Sequence, residues 1–350
     1  MAFEQNTKDI LYIGTYTEKG EGIYVYEFDR SNLSFKEIQV MVNKNSPSFL
    51  EFHPNKKFLY SANEGNSTVS SYAIDAVGKL TALNSKSSLG KGPCHVAVDP
   101  KGRFLYVSNY GSGQLGVYLI NADGTIGAVA DSIQDVGTGS QKPHMHSVIP
   151  SADGKFIYAS DLGIDKIMVY AVDPKTGKLT PGSVPYAEVK SGDGPRHFAI
   201  HPNGNFGYSA GELASVVNSF KIVKNSGALV PLERVTMLPK DFTGKSFAAD
   251  IHFSPDGKFL YASNRGHESL AIYAVDAKSG KLTIAGHADT HGKHPRNFLA
   301  DQKGELVLVT NRDNDNVVIF KRDAQTGQLT YTSKEISIPT PVCVKQLFLN

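Results

Sequence analysis

The feature of this 350-residue chain that most constrains its fold is an internal repeat with a period of about fifty residues. Two copies read PSFLEFHPNKKFLYSANEG from Pro47 and PCHVAVDPKGRFLYVSNYG from Pro93. Two more read PRHFAIHPNGNFGYSAGEL from Pro195 and PRNFLADQKGELVLVTNRD from Pro295. A chain built this way is expected to form a series of equivalent units that bury their apolar faces against one another.

Two further copies depart slightly from this pattern. PHMHSVIPSADGKFIYASDLG, from Pro143, is interpreted as carrying a short insertion at its turn, and FAADIHFSPDGKFLYASNRG, from Phe247, as having lost the leading proline. Within each copy, apolar and polar residues alternate and then meet a tight turn such as Pro255-Asp256-Gly257. Because no segment sustains a helical spacing, each copy predicts a four-stranded antiparallel sheet.

The two ends of the chain supply the missing parts of one more sheet. Six full copies occupy about residues 47–335; ILYIGTYTEKGEGIYVYEFD near the N-terminus matches the second and third strands, and PVCVKQLF from Pro341 matches the first. Pairing these segments would remove the exposed sheet edges. The sequence therefore predicts an all-β, seven-bladed propeller forming one domain over residues 1–350, with a split blade from residues 8–38 and 340–349.

Composition and cysteine usage exclude several classes of function. The 36 Lys and Arg residues nearly balance the 34 Asp and Glu residues, so neither nucleic-acid binding nor a polybasic membrane contact is expected. The two cysteines, Cys94 and Cys343, lie far apart and outside any CxxC pattern, which argues against a disulfide framework and a cysteine-ligated zinc site. The N-terminus lacks a basic stretch followed by an apolar run, so a soluble cytoplasmic protein is expected.

Positions that serve packing should look alike in every copy, so candidate functional residues are those that differ between copies. The relevant positions lie on the face of the propeller where the first strand of each blade begins. The positions after the second strands are Tyr16, Glu64, Tyr110, Leu162, Glu212, Arg265 and Arg312. The first residues after the leading prolines or their equivalents are Ser48, Cys94, His144, Arg196, Ala248, Arg296 and Val342. The charged members of both series cluster in four consecutive copies, and Glu212 is predicted to contact Arg196. The four arginines of the two series could bind a small anion or, alternatively, form salt bridges between blades.

Histidines and one aspartate complete the set of candidates. His144 and His146 stand at alternate strand positions and are expected to face the channel together. No third ligand accompanies them, so no metal site is predicted. Asp250 and His252 begin another first strand and are treated as substrate contacts, with plain packing or support of neighbouring residues as the alternatives.

The chain also resembles the seven-bladed β-propeller lactonase family, which includes propeller-type 6-phosphogluconolactonases. Its most specific motifs here are YIGTYT, PHMHS, GPRH, AADIH, SPDGKFLYASNR and PRNF, in this order along nearly the whole chain. The resemblance implies hydrolysis of 6-phospho-D-glucono-1,5-lactone to 6-phosphogluconate in the pentose phosphate pathway. A related branch resembles fungal muconate lactonizing enzymes, for which a His, two Arg and a Glu form the proposed site; the matching residues here are His146, Arg196, Glu212 and Arg265.

The resemblance and the charge pattern together predict a metal-free mechanism that needs no cofactor. His146 or Glu212 would act as general base, and Arg196 or Arg265 would stabilise the oxyanion. The expected substrate contacts are His144, Asp250, His252, Arg296 and Arg312, with Arg296 holding the phosphate and Arg312 as a reserve. The partner would be a small anionic sugar-phosphate lactone, and the protein a monomer or weak homodimer. A muconate-type cycloisomerase and a non-catalytic binding scaffold are the alternatives.

Overall fold

A computed structural model describes residues 8–349 of the chain. These residues form seven four-stranded antiparallel sheets and one short 3-10 helix, Arg312–Asn314. Within the described range, no helix has the length and apolar character needed to cross a membrane. The prediction of a seven-bladed all-β propeller is confirmed.

The strands are numbered in chain order, and each group of four below is one sheet except that the last strand joins the first three. The first group is β1 (Lys8–Thr15), β2 (Gly22–Asp29) and β3 (Ser34–Val42); then β4 (Pro47–Phe52), β5 (Phe58–Asn63), β6 (Thr68–Ile74) and β7 (Leu80–Ser87); β8 (Pro93–Val98), β9 (Phe104–Asn109), β10 (Gln114–Ile120) and β11 (Ile126–Gln134); β12 (Met145–Pro150), β13 (Phe156–Asp161), β14 (Lys166–Val172) and β15 (Leu179–Glu188); β16 (Pro195–Ile200), β17 (Phe206–Gly211), β18 (Val216–Ile222) and β19 (Leu229–Thr236); β20 (Phe247–Phe253), β21 (Phe259–Arg265), β22 (Ser269–Val275) and β23 (Leu282–Asp289); β24 (Pro295–Ala300), β25 (Leu306–Asn311), β26 (Asn316–Arg322) and β27 (Leu329–Ser337); and finally β28 (Pro341–Leu349).

The split blade forms from the two ends of the chain as expected, but its outer strand β3 runs to Val42, beyond the expected end at residue 38. Its strand order is β28-β1-β2-β3, and β28 pairs antiparallel with β1 from Lys8↔Leu349 to Thr15↔Pro341. The inner strands of neighbouring blades contact one another around the ring, and β28 contacts β4 to close it. The single-domain boundaries of 1–350 stay a prediction, because residues 1–7 and 350 lie outside the described range.

A tyrosine in the second strand explains part of the repeat. The ring of Tyr60 is fully buried in the core between blades, and its hydroxyl donates to the carbonyl oxygen of Gly124 in the next blade at 3.0 Å. Equivalent bonds of 2.8–2.9 Å join Tyr12 to Gly78, Tyr208 to Gly280 and Tyr261 to Gly327. In these four blades the aromatic residue therefore both fills the core and contacts the neighbouring blade. The hydroxyls of the equivalent Tyr106 and Tyr158 are buried without a hydrogen-bond partner among the described residues.

Each inner strand contains one extra residue near its start, and this β-bulge corrects two alignments made from sequence. In the third blade Pro93↔Asn109 is followed by His95↔Ser108, so Cys94 is the bulged residue. In the fourth blade Met145↔Asp161 is followed by Ser147↔Ser160, which makes His146 the equivalent of Cys94. The expected insertion in the turn is therefore wrong, since the two extra residues precede the strand.

The bulged residues differ at two positions from the residues predicted to follow the leading prolines or their equivalents. His146 replaces His144, and Ala249 replaces Ala248, because the sixth blade pairs Ala248↔Asn264 and then Ile251↔Ala262. Bulges re-aim side chains near functional sites. Here they turn His146, Arg196 and Arg296 toward the same mouth of the channel.

Candidate active site

A cavity of about 300 Å³ opens at this mouth, at the small end of the range for small-molecule sites. Its lining residues are Glu64, Gly92, Cys94, Tyr110, Gly111, His146, Glu212 and Arg296. The structure thus brings three of the predicted site residues, His146, Glu212 and Arg296, to one cavity. Arg196 and Arg265 do not line the cavity, but both contact Glu212, which does.

Glu212 joins two arginines from different blades. Its carboxylate lies 3.0 Å from Nε of Arg196 and 2.8 Å from Nη2 of Arg265. The predicted contact between Glu212 and Arg196 is therefore confirmed. Burial favours the neutral acid, but the positive charges of Arg196 and Arg265 outweigh it and hold the pKa of Glu212 below its usual value. Glu212 is thus an ionised bridge between the two guanidinium groups.

Arg196 is almost completely buried, and its Nη1 contacts a neighbouring strand. Nη1 donates to the carbonyl oxygen of Ala249 at 2.6 Å and lies 3.3 Å from Nε2 of His197. Burial, with the nearby charge of Arg296, lowers the pKa of Arg196 to about 10, which leaves it protonated at neutral pH. A charge held this deeply needs compensation nearby.

Glu212 supplies most of that compensation, and His197 and Asp250 add to it. Nδ1 of His197 lies 2.6 Å from Oδ1 of Asp250. Burial, together with the charge of Arg196, lowers the pKa of His197 to about 4, so its imidazole is neutral at pH 7. A carboxylate can only accept and a guanidinium can only donate, so His197 carries its proton on Nδ1 and offers the lone pair of Nε2 to Arg196.

Asp250, in inner strand β20, is 1% exposed and is linked to Arg196 through His197. It also accepts a hydrogen bond from Nε2 of His252 at 2.8 Å and one from the side-chain amide of Asn297. Burial opposes its ionisation, but His252 and His197 outweigh burial and hold the pKa of Asp250 well below its usual value. Neither Asp250 nor His252 lines the cavity, so both predicted substrate contacts take supporting positions instead.

His146 presents its imidazole to the cavity from the bulge of β12. Its ring packs edge-on against Tyr110 and His197, with centroids 5.6 Å and 5.2 Å away. Nδ1 lies 3.8 Å from Sγ of Cys94, whereas Nε2 makes no hydrogen bond with any described residue and is not sealed from solvent. Burial, with the charge of Arg196, holds the pKa of His146 well below its usual value. The ring is therefore neutral and has one nitrogen free to accept a proton.

Cys94 lines the cavity beside His146 but is not arranged as a nucleophile. Its Sγ lies 3.2 Å from the carbonyl oxygen of His146, to which the thiol can donate. Burial raises the pKa of Cys94 to about 12, so the thiolate is not available at neutral pH.

His144 does not face the channel beside His146. It precedes β12, its ring stacks on Tyr110 with centroids 4.6 Å apart, and its Nδ1 lies 2.9 Å from the carbonyl oxygen of Tyr110. The expectation of two histidines facing the same way is wrong, because the bulge at His146 interrupts the alternation. His144 instead supports Tyr110 at the rim.

Arg296 and Glu64 form the opposite wall of the cavity. Nη2 of Arg296 lies 3.6 Å from Oε1 of Glu64, and its guanidinium carbon lies 5.2 Å from the centre of the Tyr16 ring. Burial opposes the charge of Arg296, but Tyr16 and Glu64 outweigh it and raise its pKa. Arg312 lies outside the lining and pairs with Asp313 at 2.6 Å. Every predicted arginine of the mouth therefore has a carboxylate nearby.

Sequence reasoning missed two members of the cavity wall, Glu64 and Tyr110, and also Tyr16, which contacts Glu64. All three belong to the same series of positions as Glu212 and were present in the alignment. They were not selected because none of them carries a positive charge. Within residues 8–349, no group of three or more His, Cys, Asp or Glu side chains has an arrangement suited to a metal ion.

Comparisons with known proteins identify the family to which this fold belongs. A family model described as "Lactonase, 7-bladed beta-propeller" matches residues 10–346. A 6-phosphogluconolactonase from Bacillus subtilis is 36% identical over 97% of this chain and 99% of its own length, and one from Formosa agariphila is 34% identical over 85% and 88%. The solved structure of a periplasmic gluconolactonase from Pseudomonas aeruginosa superposes with a TM-score of 0.93 at 31% identity, covering 98% of this chain and 100% of that one.

Proposed function

Because this chain belongs to the seven-bladed β-propeller lactonase family, we propose that it hydrolyses 6-phospho-D-glucono-1,5-lactone to 6-phosphogluconate, a step of the pentose phosphate pathway. The observation that carries the proposal is the neutral imidazole of His146, whose Nε2 is free in a cavity bounded by Glu212 and Arg296. A lactone is an activated ester, so a positioned base and a stabilised oxyanion suffice for hydrolysis.

We assign the general base to His146 rather than Glu212. Both carboxylate oxygens of Glu212 are already paired with guanidinium groups, whereas Nε2 of His146 has no hydrogen-bond partner among the described residues. Nε2 of His146 takes a proton from water while the water oxygen bonds to the lactone carbonyl carbon. The ring C–O bond then breaks, and the imidazolium returns its proton to the ring oxygen. The carboxylic acid product ionises and releases one proton to solvent.

The arginines divide between the oxyanion and the phosphate in this proposal. Arg196 and Arg265 bring positive charge to the Glu212 side, where negative charge would develop on the carbonyl oxygen. Arg296 lines the cavity directly and is the candidate for the phosphate. Because a phosphorylated sugar is charged and crosses membranes poorly, this substrate fits a cytoplasmic protein. The expected oligomeric state, a monomer or weak homodimer, is a separate prediction.

The test of this function is the release of protons from freshly prepared 6-phosphoglucono-1,5-lactone at constant pH. Addition of the purified protein should raise the rate far above that of spontaneous hydrolysis in the same buffer. A rate equal to the spontaneous one would contradict the proposal.

Replacing Arg296 by alanine should raise KM for the phosphorylated lactone about tenfold, in line with the loss of a hydrogen bond between charged groups. Phosphate is present in the substrate and in the transition state alike, so kcat should change little. The penalty should be much smaller on unphosphorylated gluconolactone. Arg103→Ala is the matched control, since Arg103 pairs with Asp99 at the opposite face. A kcat reduced equally on both lactones would place Arg296 at the reacting centre.

Removing divalent metals should leave the activity unchanged. The proposed base and charges are all side chains, and the described residues include no cluster of metal-binding groups. Exhaustive treatment with EDTA, followed by assay in metal-free buffer, measures this directly. Loss of activity that returns with added Ca²⁺, Mg²⁺ or Zn²⁺ would overturn the assignment of His146 as an unaided base.

A further inference from the structure

We infer that Glu64 determines specificity by accepting hydrogen bonds from the hydroxyl groups of the lactone ring, so that the site favours polyhydroxylated lactones. This inference rests on the proposed function and names a recognition element for it. Glu64 lines the cavity on the wall that carries Arg296.

Glu64 is fixed in place before any ligand arrives. Oγ of Ser48 donates to Oε1 at 2.6 Å, and the hydroxyl of Tyr16 lies 3.2 Å from both carboxylate oxygens. Together with the ion pair to Arg296, these contacts approach the carboxylate from inner strands β4 and β24 and from the residue after β1. A carboxylate held by donors on three sides is a preorganised acceptor.

The carboxylate still has unused capacity. Two carboxylate oxygens together offer about four lone-pair directions. Ser48 uses one on Oε1, and Tyr16 shares its single proton between both oxygens. Among the described residues, Oε2 has no other hydrogen-bond donor, and the side chain is a quarter exposed. A lone pair of Oε2 is therefore available to a ligand in the cavity.

Two carboxylates in one small cavity restrict what it can bind. The oxygens of Glu212 already face Arg196 and Arg265, whereas Glu64 has spare acceptor capacity. A hydroxyl group beside Glu64 gains a charge-assisted hydrogen bond. An unsubstituted lactone would leave the acceptor unpaired. The arrangement therefore favours substrates that present a hydroxyl group to Glu64.

The experiment compares two six-membered lactones that both lack phosphate: glucono-1,5-lactone and unsubstituted δ-valerolactone. Glu64→Gln keeps the shape of the side chain but removes its charge. It should lower kcat/KM for gluconolactone about tenfold and leave δ-valerolactone within about twofold. The selectivity between the two substrates should fall accordingly. An equal loss on both lactones would overturn the inference, since Glu64 would then act only through Arg296.

A matched control lies in the same blade. Glu51 has similar exposure and pairs with Lys345 at 2.8 Å, outside the cavity lining. Glu51→Gln should leave the selectivity unchanged. If Glu64→Gln does not fold, Ser48→Ala serves instead, because it releases Oε1 and should lower the selectivity by a smaller factor.

Binding measurements separate a failure of this inference from a failure of the proposed function. If the wild-type protein does not accelerate hydrolysis of the phosphorylated lactone, the proposed function fails. Calorimetry with gluconate and 5-hydroxypentanoate, two acids of equal charge that differ in hydroxyl groups, then tests Glu64 alone. Tighter binding of gluconate that Glu64→Gln abolishes would support the inference. Equal affinities in the wild-type protein would overturn it.

Discussion

Replacing His146 by alanine is expected to lower kcat about 10²- to 10⁴-fold with little change in KM, the usual contribution of a positioned general base. The free Nε2 of His146 is the proton acceptor in the proposed mechanism. Burial of the ring keeps it neutral, so the base is ready without prior deprotonation. The measurement is steady-state hydrolysis of the phosphorylated lactone, corrected for the spontaneous reaction.

Two further variants make the result specific. His201 is equally buried, but its Nε2 lies 3.0 Å from the carbonyl oxygen of Gly257, in a turn at the opposite face. His201→Gln should therefore keep kcat. Glu212→Gln should lower activity by disturbing the two arginines, but less than His146→Ala does. The reverse order would make Glu212 the base.

Deleting residues 341–350 should abolish the folded state or lower the melting temperature by more than about 10 °C. The deletion removes β28, the inner strand of the split blade. It leaves the edge of β1 unpaired and takes Val342, Val344 and Leu347 from the core. Burial of three such side chains stabilises a fold by about 4–9 kcal/mol, comparable to the net stability of a domain.

Thermal unfolding followed by circular dichroism measures this effect. A synthetic peptide with the sequence of residues 341–350 should restore part of the lost stability, because it can pair with β1 as β28 does. An unchanged melting temperature in the truncated protein would contradict the role of β28 in closing the ring.

The fold could be predicted from sequence because its signals are local and repeated. Alternation of apolar and polar residues, tight turns and matching fragments at both ends suffice for seven blades. The β-bulges were not predicted, because each lies near the start of its strand, where too few residues precede it for a break in the alternation to be recognised. Because the bulges were not recognised, His144 and Ala248 were assigned to the positions that His146 and Ala249 occupy in the structure.

The supporting residues were harder to predict than the cationic ones. His197 and Asp250 are 53 positions apart in sequence and meet because they occupy neighbouring inner strands. Residues one repeat apart at the start of these strands are therefore candidates for contact, a signal that could have linked them. No sequence signal of this kind identified Glu64, because its proposed role depends on its contacts with Ser48 and Tyr16 in the folded protein.

The position of bound 6-phosphogluconate in a crystal structure tests the central claim most directly. The carboxyl carbon of the product should lie next to Nε2 of His146, with its phosphate on Arg296 and its hydroxyl groups toward Glu64. Product bound at the other end of the channel, near Glu51 and Lys345, or in an outer groove between blades, would contradict this account.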